Sequence, residues 1–277
     1  MRVGMHLPQF GRAAVAGAVE EAAQLAEELG FDDVWVSDHL VVPKDQSYPS
    51  PYLYDPLIAL TFAAATTSAV GLGTSVLVGP QYPSPLALAN SLASLDNMSR
   101  GRLTVGIGIG WSPAEYEALH APFDHRGARL DEIIDLFRTA WRDDPATHDG
   151  RFYSFSDVRV LPKPAHDIPV WVGGRSDGAY VRATTRADGF HGVGVGPEDA
   201  KALVERLRAS RPDDAFTISL RVPWDGNTME PDEIGAQFQA YGTAGVQHVV
   251  IAPERGYADS WLAGMRTLAS VLDLPAR

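Results

Sequence analysis

Short apolar runs rich in Val, Ile and Leu alternate along the chain with longer stretches in which apolar residues recur every three or four positions. The first pattern is typical of buried strands and the second of amphipathic helices. Strands are predicted at residues 2–7, 33–37, 70–78, 103–109, 168–172, 189–195, 216–222 and 246–251. Helices are predicted at residues 14–29, 55–68, 85–98, 124–141, 176–187, 197–210, 230–243 and 260–272.

The strict alternation of strands and helices favours a parallel sheet. Eight strand–helix units of about 35 residues each are the number that closes a (β/α)8 TIM barrel, so an α/β barrel of this type is the predicted fold. An open doubly wound sheet is the alternative, but its glycine-rich fingerprint is absent after the first strand, where residues 7–11 read Leu-Pro-Gln-Phe-Gly. Residues 143–167 are predicted to be an insertion after the fourth helix, with strand character at 151–153. Because no linker divides the chain, residues 1–277 are predicted to form a single domain.

The net charge limits the kinds of binding partner that can be expected. The 277 residues include 23 Lys and Arg against 35 Asp and Glu, a formal net charge of −12. An acidic chain is poorly suited to nucleic acid or to anionic membranes. Cysteine is absent, which excludes disulfides and thiol catalysis. Neither a signal peptide nor a membrane span is visible, so we expect a cytoplasmic protein that acts on a small molecule, and the usual default for such barrels favours a homodimer.

In a TIM barrel the active site lies at the carboxyl ends of the strands. Asp38-His39, after the second strand, is the only adjacent acid–imidazole pair at such an end. An imidazole titrates near neutrality and can donate or accept a proton during turnover. In the alternative interpretation Asp38 caps the loop and His39 is a polar residue of the rim.

Two glycine-rich segments could serve a ligand. Gly173-Gly174-Arg175-Ser176 joins the fifth strand to its helix, where close backbone approach, free helical N–H groups and a guanidinium suit a phosphate. The alternative is a tight turn with a serine N-cap. Glycines alternate from Gly106 to Gly110, which leaves room either for a planar ligand or for a neighbouring strand in a crowded interior.

Aromatic side chains near the strand ends could wall an apolar pocket or simply pack the loops. They are Tyr48, Tyr52, Tyr54, Trp111 and Trp224. Gln9 and His191 stand at two further strand ends. The eight histidines are scattered and no metal-binding motif is present, so no metal site is predicted.

Several segments, taken together and in order, resemble the bacterial luciferase-like superfamily. The matching segments lie at residues 36–39 (Val-Ser-Asp-His), 72–76, 95–102, 106–116, 126–132, 150–153, 161–164, 169–176 and 187–190. The resemblance implies a (β/α)8 barrel that binds FMN or the deazaflavin coenzyme F420. The sequence is most similar to the F420-dependent branch, whose members move a hydride between coenzyme and substrate.

The resemblance also implies roles for individual residues. His39 would stand by the reactive ring carbon as proton donor or orienting group, and a cis peptide bond between Ser75 and Val76 would bulge against the far face of the ring. The residues expected to bind the cofactor are Asp38, Ser75, Val76, Gly110, Gly174, Arg175, Ser176, Gly178 and Ala179. Lys44, Arg175 and Arg182 are the candidates to attract the anionic coenzyme tail.

One departure from the family bears on the substrate. The glucose-6-phosphate dehydrogenases of this family carry a glutamate base where Trp111 stands here, so a small apolar or aromatic substrate is expected instead. The predicted substrate pocket comprises Gln9, Tyr54, Trp111, His191 and Trp224. Two alternatives stay open: an FMN-dependent monooxygenase that uses reduced flavin and O2, and a non-catalytic flavin-binding protein. A metal-dependent barrel hydrolase is a more distant alternative.

Overall fold

Eight parallel strand positions close into a barrel, as the alternating pattern predicts. The computed structural model describes residues 1–46, 48–224, 229–253 and 256–276. Neighbouring strands pair in the order β3-β2-β1-β11-β10-β9-β8-β5-β4, and a further pairing of β3 with β5 closes the ring. The strands are β1 (Arg2–His6), β2 (Asp33–Val36), β3 (Gly71–Thr74), β4 (Leu77–Val78), β5 (Leu103–Gly108), β6 (Ala146–Asp149), β7 (Ser154–Val158), β8 (Val170–Gly173), β9 (Gly189–Val193), β10 (Thr217–Pro223) and β11 (His248–Ala252).

Helices surround the barrel and cover its outer face. Several begin at a polar residue followed by proline, as at Asp55, whose carboxylate accepts hydrogen bonds from the N–H groups of Leu57 and Ile58. Their apolar faces bury Val, Leu, Ile, Ala and Phe side chains against the strands in a continuous core. The helices are α1 (Ala18–Glu28), α2 (Pro56–Thr66), α3 (Pro85–Met98), α4 (Pro113–Ala118), α5 (Arg126–Arg142), α6 (Asp177–Arg186), α7 (Pro197–Ser210), α8 (Pro231–Thr243) and α9 (Ala258–Val271).

The third barrel strand is broken, whereas the sequence pattern predicts one strand over residues 70–78. Strand β3 ends at Thr74, the peptide bond between Ser75 and Val76 is cis, and β4 then pairs with the end of β5 through Leu77 and Ile107. The expected cis bond is therefore confirmed. Ser75 and Val76 lie between the two strands, and the side chain of Val76 approaches Gly108 of β5 and Gly173 of β8.

The predicted insertion contains a hairpin outside the barrel. Strands β6 and β7 pair antiparallel, and the predicted strand at residues 151–153 is wrong because these residues form the connection between them. Glu132 of helix α5 accepts hydrogen bonds from the N–H groups of Phe152 and Tyr153 and so ties the hairpin to the barrel. Helix α4 was not predicted because its six residues are too few to show a helical period.

The barrel interior is unusually polar and aromatic. TIM barrels usually fill this space with branched aliphatic side chains. Here Trp35 stacks on His191 with ring centroids 4.9 Å apart, Trp171 lies 5.4 Å from Trp35, and His248 is fully buried beside them. No described helix is both long enough and apolar enough to cross a membrane.

Candidate active site

A large cavity opens at the carboxyl ends of the barrel strands, where the fold places active sites. Its volume is about 1480 Å³, more than a drug-sized ligand needs. The predicted residues among its lining are Asp38, His39, Tyr48, Ser75, Val76, Gly110, Trp111, Gly174, Arg175, Ser176, Ala179 and His191. The lining also includes residues to which the sequence analysis gave no role, among them Ser37, Glu115 and Arg221.

Asp38 is buried in the cavity wall with one carboxylate oxygen unsatisfied. Its Oδ2 accepts a hydrogen bond of 2.8 Å from the N–H of Val78, while Oδ1 has no hydrogen bond of normal geometry among the described residues, and the neighbouring Tyr82 hydroxyl is also without one. Burial raises the pKa of this carboxyl to about 6, and the N–H of Val78 and the neighbouring Tyr82 hydroxyl only partly offset that effect. A buried acceptor without a partner costs stability, so this oxygen is suited to receive a donor from a ligand.

His39 lies on the cavity wall and is oriented by a second carboxylate. Its Nδ1 is 2.9 Å from Oε1 of Glu115, whose side chain is only 2% exposed. Burial tends to raise the pKa of Glu115, but the hydrogen bonds from His39 and Gln46 outweigh burial and leave that pKa below its ordinary value. An ionised Glu115 can only accept, so Nδ1 of His39 carries a proton and Nε2 is the nitrogen left to exchange one with a ligand.

Sequence reasoning did not give Glu115 a role, although a signal was present. Ser112 and Glu115 form the Ser-x-x-Glu pattern that starts a helix, and Ser112 indeed caps α4 by accepting from the N–H of Glu115 at 3.4 Å. Ser112 also donates to Gln46 at 2.7 Å, and Gln46 donates to Glu115 at 2.8 Å. The helix start is therefore a support that fixes the carboxylate behind His39.

Ser75 and Val76, where the third barrel strand is interrupted, line the cavity, and we call this part of the lining the cavity floor. A side chain at Gly106 would collide with the carbonyl of Thr74, and one at Gly108 or Gly173 would come within 2.9 Å of the Val76 side chain. The glycines of β5 and β8 thus make room for a neighbouring strand, the second of the two interpretations left open by the sequence. Gly110, with φ +63°, does line the cavity.

The turn into helix α6 also lines the cavity. Gly174 has φ +141°, a conformation that side chains rarely adopt, and brings the backbone toward the ligand space. Ser176 caps the helix through the N–H of Ala179. The Nε of Arg175 donates to the carbonyl of Val193 at 2.8 Å, which holds its guanidinium beside the opening. Backbone N–H groups and a fixed cation are the groups that recognise a phosphate.

Three predicted substrate-pocket residues do not line the cavity. Gln9 is fully buried, and its amide donates to the carbonyls of Ser37 at 3.0 Å and Tyr54 at 2.9 Å, so it joins two loops. Tyr54 packs against the core, and its hydroxyl lies 3.3 Å from that of Tyr52. Trp224 is buried and stacks on Phe238 with ring centroids 4.6 Å apart. All three are corrected to packing or scaffold residues.

Three predicted coenzyme-binding residues also fall outside the lining. Gly178 is exposed in the first turn of α6. Lys44 is exposed in the loop after β2. The side chain of Arg182 is committed to Asp131, with Nε to Oδ1 at 2.6 Å, because helices α5 and α6 pack together there. Among the three predicted cations, only Arg175 lines the cavity.

Comparison with known proteins identifies the family. Residues 1–230 match the family described as luciferase-like monooxygenase, so the chain belongs to that family, and the prediction from its motifs is confirmed. Within the described residues, no group of three or more potential ligands could hold a metal ion.

Individual relatives give a more detailed picture. An uncharacterized protein of Mycobacterium tuberculosis is 36% identical over 166 residues, which cover 55% of this chain and 58% of the relative. A protein of Kineococcus radiotolerans named F420-dependent glucose-6-phosphate dehydrogenase is 33% identical over 177 residues, 63% of this chain and 51% of that protein. The alignment thus spans only about half of that dehydrogenase. The crystal structure of monooxygenase RslO1 from Streptomyces bottropensis superposes with a TM-score of 0.83 at 24% identity and covers 98% of both chains, which shows the shared fold.

Proposed function

We propose that this protein is an F420-dependent oxidoreductase that transfers a hydride between the deazaflavin coenzyme and a small, apolar or aromatic organic substrate. The observation that carries the proposal is the cavity wall, where an unsatisfied buried carboxylate, Asp38, adjoins an imidazole held by a second carboxylate, Glu115. The similarity to relatives named F420-dependent supports the choice of coenzyme.

The residues present fit a flat ring followed by a phosphate. Oδ1 of Asp38 would accept from a ring N–H, and the floor at Ser75 and Val76 would support one face of the ring. The backbone at Gly174 and the guanidinium of Arg175 would hold the phosphate. When bound, the deazaflavin supplies or accepts a hydride.

His39 would move the proton that accompanies the hydride. Because Glu115 accepts from Nδ1 of His39 at 2.9 Å, neutral His39 presents a bare Nε2 that can take a proton from an alcohol as it is oxidised. In the opposite direction, protonated His39 returns that proton to a carbonyl oxygen. Glu115 stabilises the imidazolium in both cases, and it fixes the orientation of the ring.

Trp111 indicates the kind of substrate. It is 56% exposed at the cavity rim, and its ring meets that of His39 edge to face at 6.3 Å. An exposed indole beside the proton-transferring group would cover an apolar or aromatic substrate and exclude water from it.

The test is a pair of titrations followed by a turnover assay. The purified protein is titrated with F420 and with FMN, and the chromophore fluorescence is followed. We expect F420 to bind in the micromolar range or tighter and FMN distinctly more weakly. Oxidised F420 is then offered with aromatic and aliphatic alcohols, and reduced F420 with the matching ketones, while deazaflavin absorbance is recorded. Equal or reversed cofactor preference would contradict the proposal.

An FMN-dependent monooxygenase is the second candidate, favoured by the family's description and by the same ring site. It is distinguished by oxygen consumption with reduced FMN, since a deazaflavin does not activate O2 as a flavin does. Cytoplasmic location and a homodimer stay predictions.

A further inference from the structure

A line of hydrogen bonds runs through the barrel interior from its base to the cavity floor. Oδ1 of Asp33 lies 2.9 Å from Nε2 of His248, and Nδ1 of His248 lies 2.7 Å from Oγ of Ser219. Oγ of Ser219 is 2.8 Å from Nδ1 of His191, whose Nε2 is 2.8 Å from Oγ of Ser75. We name this set of five residues the interior chain. Ser75 and His191 line the cavity, whereas Asp33 stands at the first position of β2, at the opposite end of the barrel.

Strand register explains why the interior chain is continuous. Ser219 of β10 stands opposite His191 of β9 and opposite His248 of β11, so three adjacent strands present these side chains in one layer. Strand β1 separates β11 from β2, and its Gly4 stands opposite Asp33, whereas Arg2 stands opposite His248. A side chain at Gly4 would collide with Oδ1 of Asp33, so this glycine opens the path for Asp33 to reach His248.

The carboxylate fixes the direction of every bond in the interior chain. Burial raises the pKa of Asp33, but the nearby His248 and the hydrogen bonds from His248 and Trp35 outweigh it, so the net pKa lies below the ordinary value. An ionised Asp33 only accepts, so Nε2 of His248 carries a proton. With His248 neutral, its Nδ1 accepts from Ser219, which accepts from Nδ1 of His191, and Nε2 of His191 accepts from Ser75.

A second proton on His248 reverses every bond above it. Nδ1 of His248 then donates to Ser219, Ser219 donates to Nδ1 of His191, and Nε2 of His191 donates to Ser75. The hydroxyl group of Ser75 then accepts from His191, and its own proton is directed toward the cavity. The interior chain has two hydrogen-bonding patterns, which differ by one proton, and every donor of His191, Ser219 and His248 within the chain is satisfied in both.

We propose that the interior chain is a proton store, in which a proton given up by a ligand in the cavity at Ser75 is held as an imidazolium on His248 beside the carboxylate of Asp33. In the uptake step, a ligand O–H or N–H gives its proton to Oγ of Ser75, whose own proton passes to Nε2 of His191. The Nδ1 proton of His191 passes to Ser219, and that of Ser219 passes to Nδ1 of His248. No electrons are exchanged, and the reverse sequence returns the proton to the ligand.

The surrounding charges favour His248 over His191 as the place where the proton rests. His191 faces the Arg221 guanidinium as well as His248, and burial with these neighbours lowers its pKa to about 3. His248 instead contacts the Asp33 carboxylate, which also feels Arg2. His6 lies near His191 but bonds to Ser37 and the carbonyl of Leu7, outside the interior chain. These are the charged and titratable neighbours among the described residues.

The store goes beyond the proposed function, and its test needs no coenzyme. The unliganded protein is labelled with ¹⁵N, and the protonation of each ring nitrogen of His191 and His248 is followed by NMR from pH 5 to pH 9. The expected result is strict pairing: singly protonated His248 with Nδ1–H His191, and doubly protonated His248 with Nε2–H His191. Observation of either crossed combination in the wild-type protein would overturn the proposal, whatever the cofactor proves to be.

A variant tests the link between the two histidines. Ser219→Ala removes the hydroxyl that joins them, and we expect the His191 tautomer to become independent of the protonation of His248. Ser99→Ala is the matched control, because Ser99 is equally buried but bonds to the carbonyl of Asp96, away from the barrel interior. Pairing that persists unchanged in Ser219→Ala would contradict the store. If that variant does not fold, the wild-type pairing still decides.

Discussion

One buried aspartate, Asp33, begins strand β2 and another, Asp38, follows its end, and the two differ in how their carboxylates are satisfied. Asp33, at the base of the barrel, accepts from His248 and Trp35, and its pKa is lowered. Asp38, at the cavity, has an unpartnered Oδ1, and burial raises its pKa to about 6. The first carboxylate stabilises the folded protein and the second costs it stability. TIM barrels place their active sites at this end of the strands. A destabilising carboxylate at this position is therefore expected of a residue that binds a ligand.

The largest effect is expected on the rate of hydride transfer when His39, the neighbour of Asp38, is replaced. His39→Ala removes the group that moves the proton, so the rate of hydride transfer should fall by about 10²- to 10⁴-fold while F420 still binds. The deazaflavin absorbance assay measures the rate. His120→Ala, an exposed histidine outside the cavity lining, serves as the control. A decrease in rate of less than about tenfold would contradict the role given to His39.

The next effect concerns stability at the base of the barrel. Asp33→Ala leaves the donors of His248 and Trp35 without their acceptor, so the free energy of unfolding should fall by about 3–5 kcal/mol. Urea denaturation measures it. The exposed Asp45→Ala should stay within about 0.5 kcal/mol of wild type. A similarly small decrease in the free energy of unfolding for Asp33→Ala would show that the hydrogen bonds from His248 and Trp35 contribute little to stability.

At Asp38 the expected change in the free energy of unfolding has the opposite sign. Between the ordinary pKa of 3.8 and about 6, folded Asp38 holds more protons than the unfolded chain, so its contribution to stability falls as pH rises through that window and is constant above it. Asp38→Asn should therefore raise the free energy of unfolding by up to about 3 kcal/mol at pH 8 and not at pH 3. Denaturation at both pH values tests this, with Asp45→Asn as control. If Asp38→Asn instead lowers the free energy of unfolding at pH 8, the inference that the ionised carboxylate is unfavourably buried is wrong.

The smallest effect concerns the coenzyme phosphate. Arg175→Ala should weaken F420 binding about tenfold, the loss expected for one charge-assisted hydrogen bond, without affecting the corresponding deazaflavin that lacks the phosphate. Fluorescence titration gives both dissociation constants. Lys44→Ala is the matched control, because Lys44 is exposed outside the cavity lining. Equal losses for both ligands would place Arg175 elsewhere than at the phosphate.

The sequence predicted the barrel and part of its cavity because periodicity and strand ends are local properties. Asp38 and His39 follow a strand directly, so the fold alone brings them to the opening. Gln9 and Trp224 also stand at strand ends, yet they turn into the scaffold, since side-chain direction depends on the packing of neighbouring loops. The proposed role of Glu115 depends on a contact across 76 positions of sequence, which no local pattern reveals.

The interior chain could not be predicted from the sequence either, because it also depends on contacts between residues that are far apart in the chain. His191, Ser219 and His248 become neighbours only through the register of three strands. Nothing in the residues around each one distinguishes it from an isolated core histidine or serine. By contrast, the cis bond at Ser75 was expected from family resemblance and not from the pattern of residues.

A crystal structure of the protein with F420 tests the central claim most directly. We expect the tricyclic ring in the cavity against Val76, with a ring N–H within hydrogen-bonding distance of Oδ1 of Asp38 and the reactive carbon near Nε2 of His39. A ring bound elsewhere, or a cavity closed by its own side chains with Oδ1 of Asp38 still unpartnered, would contradict it.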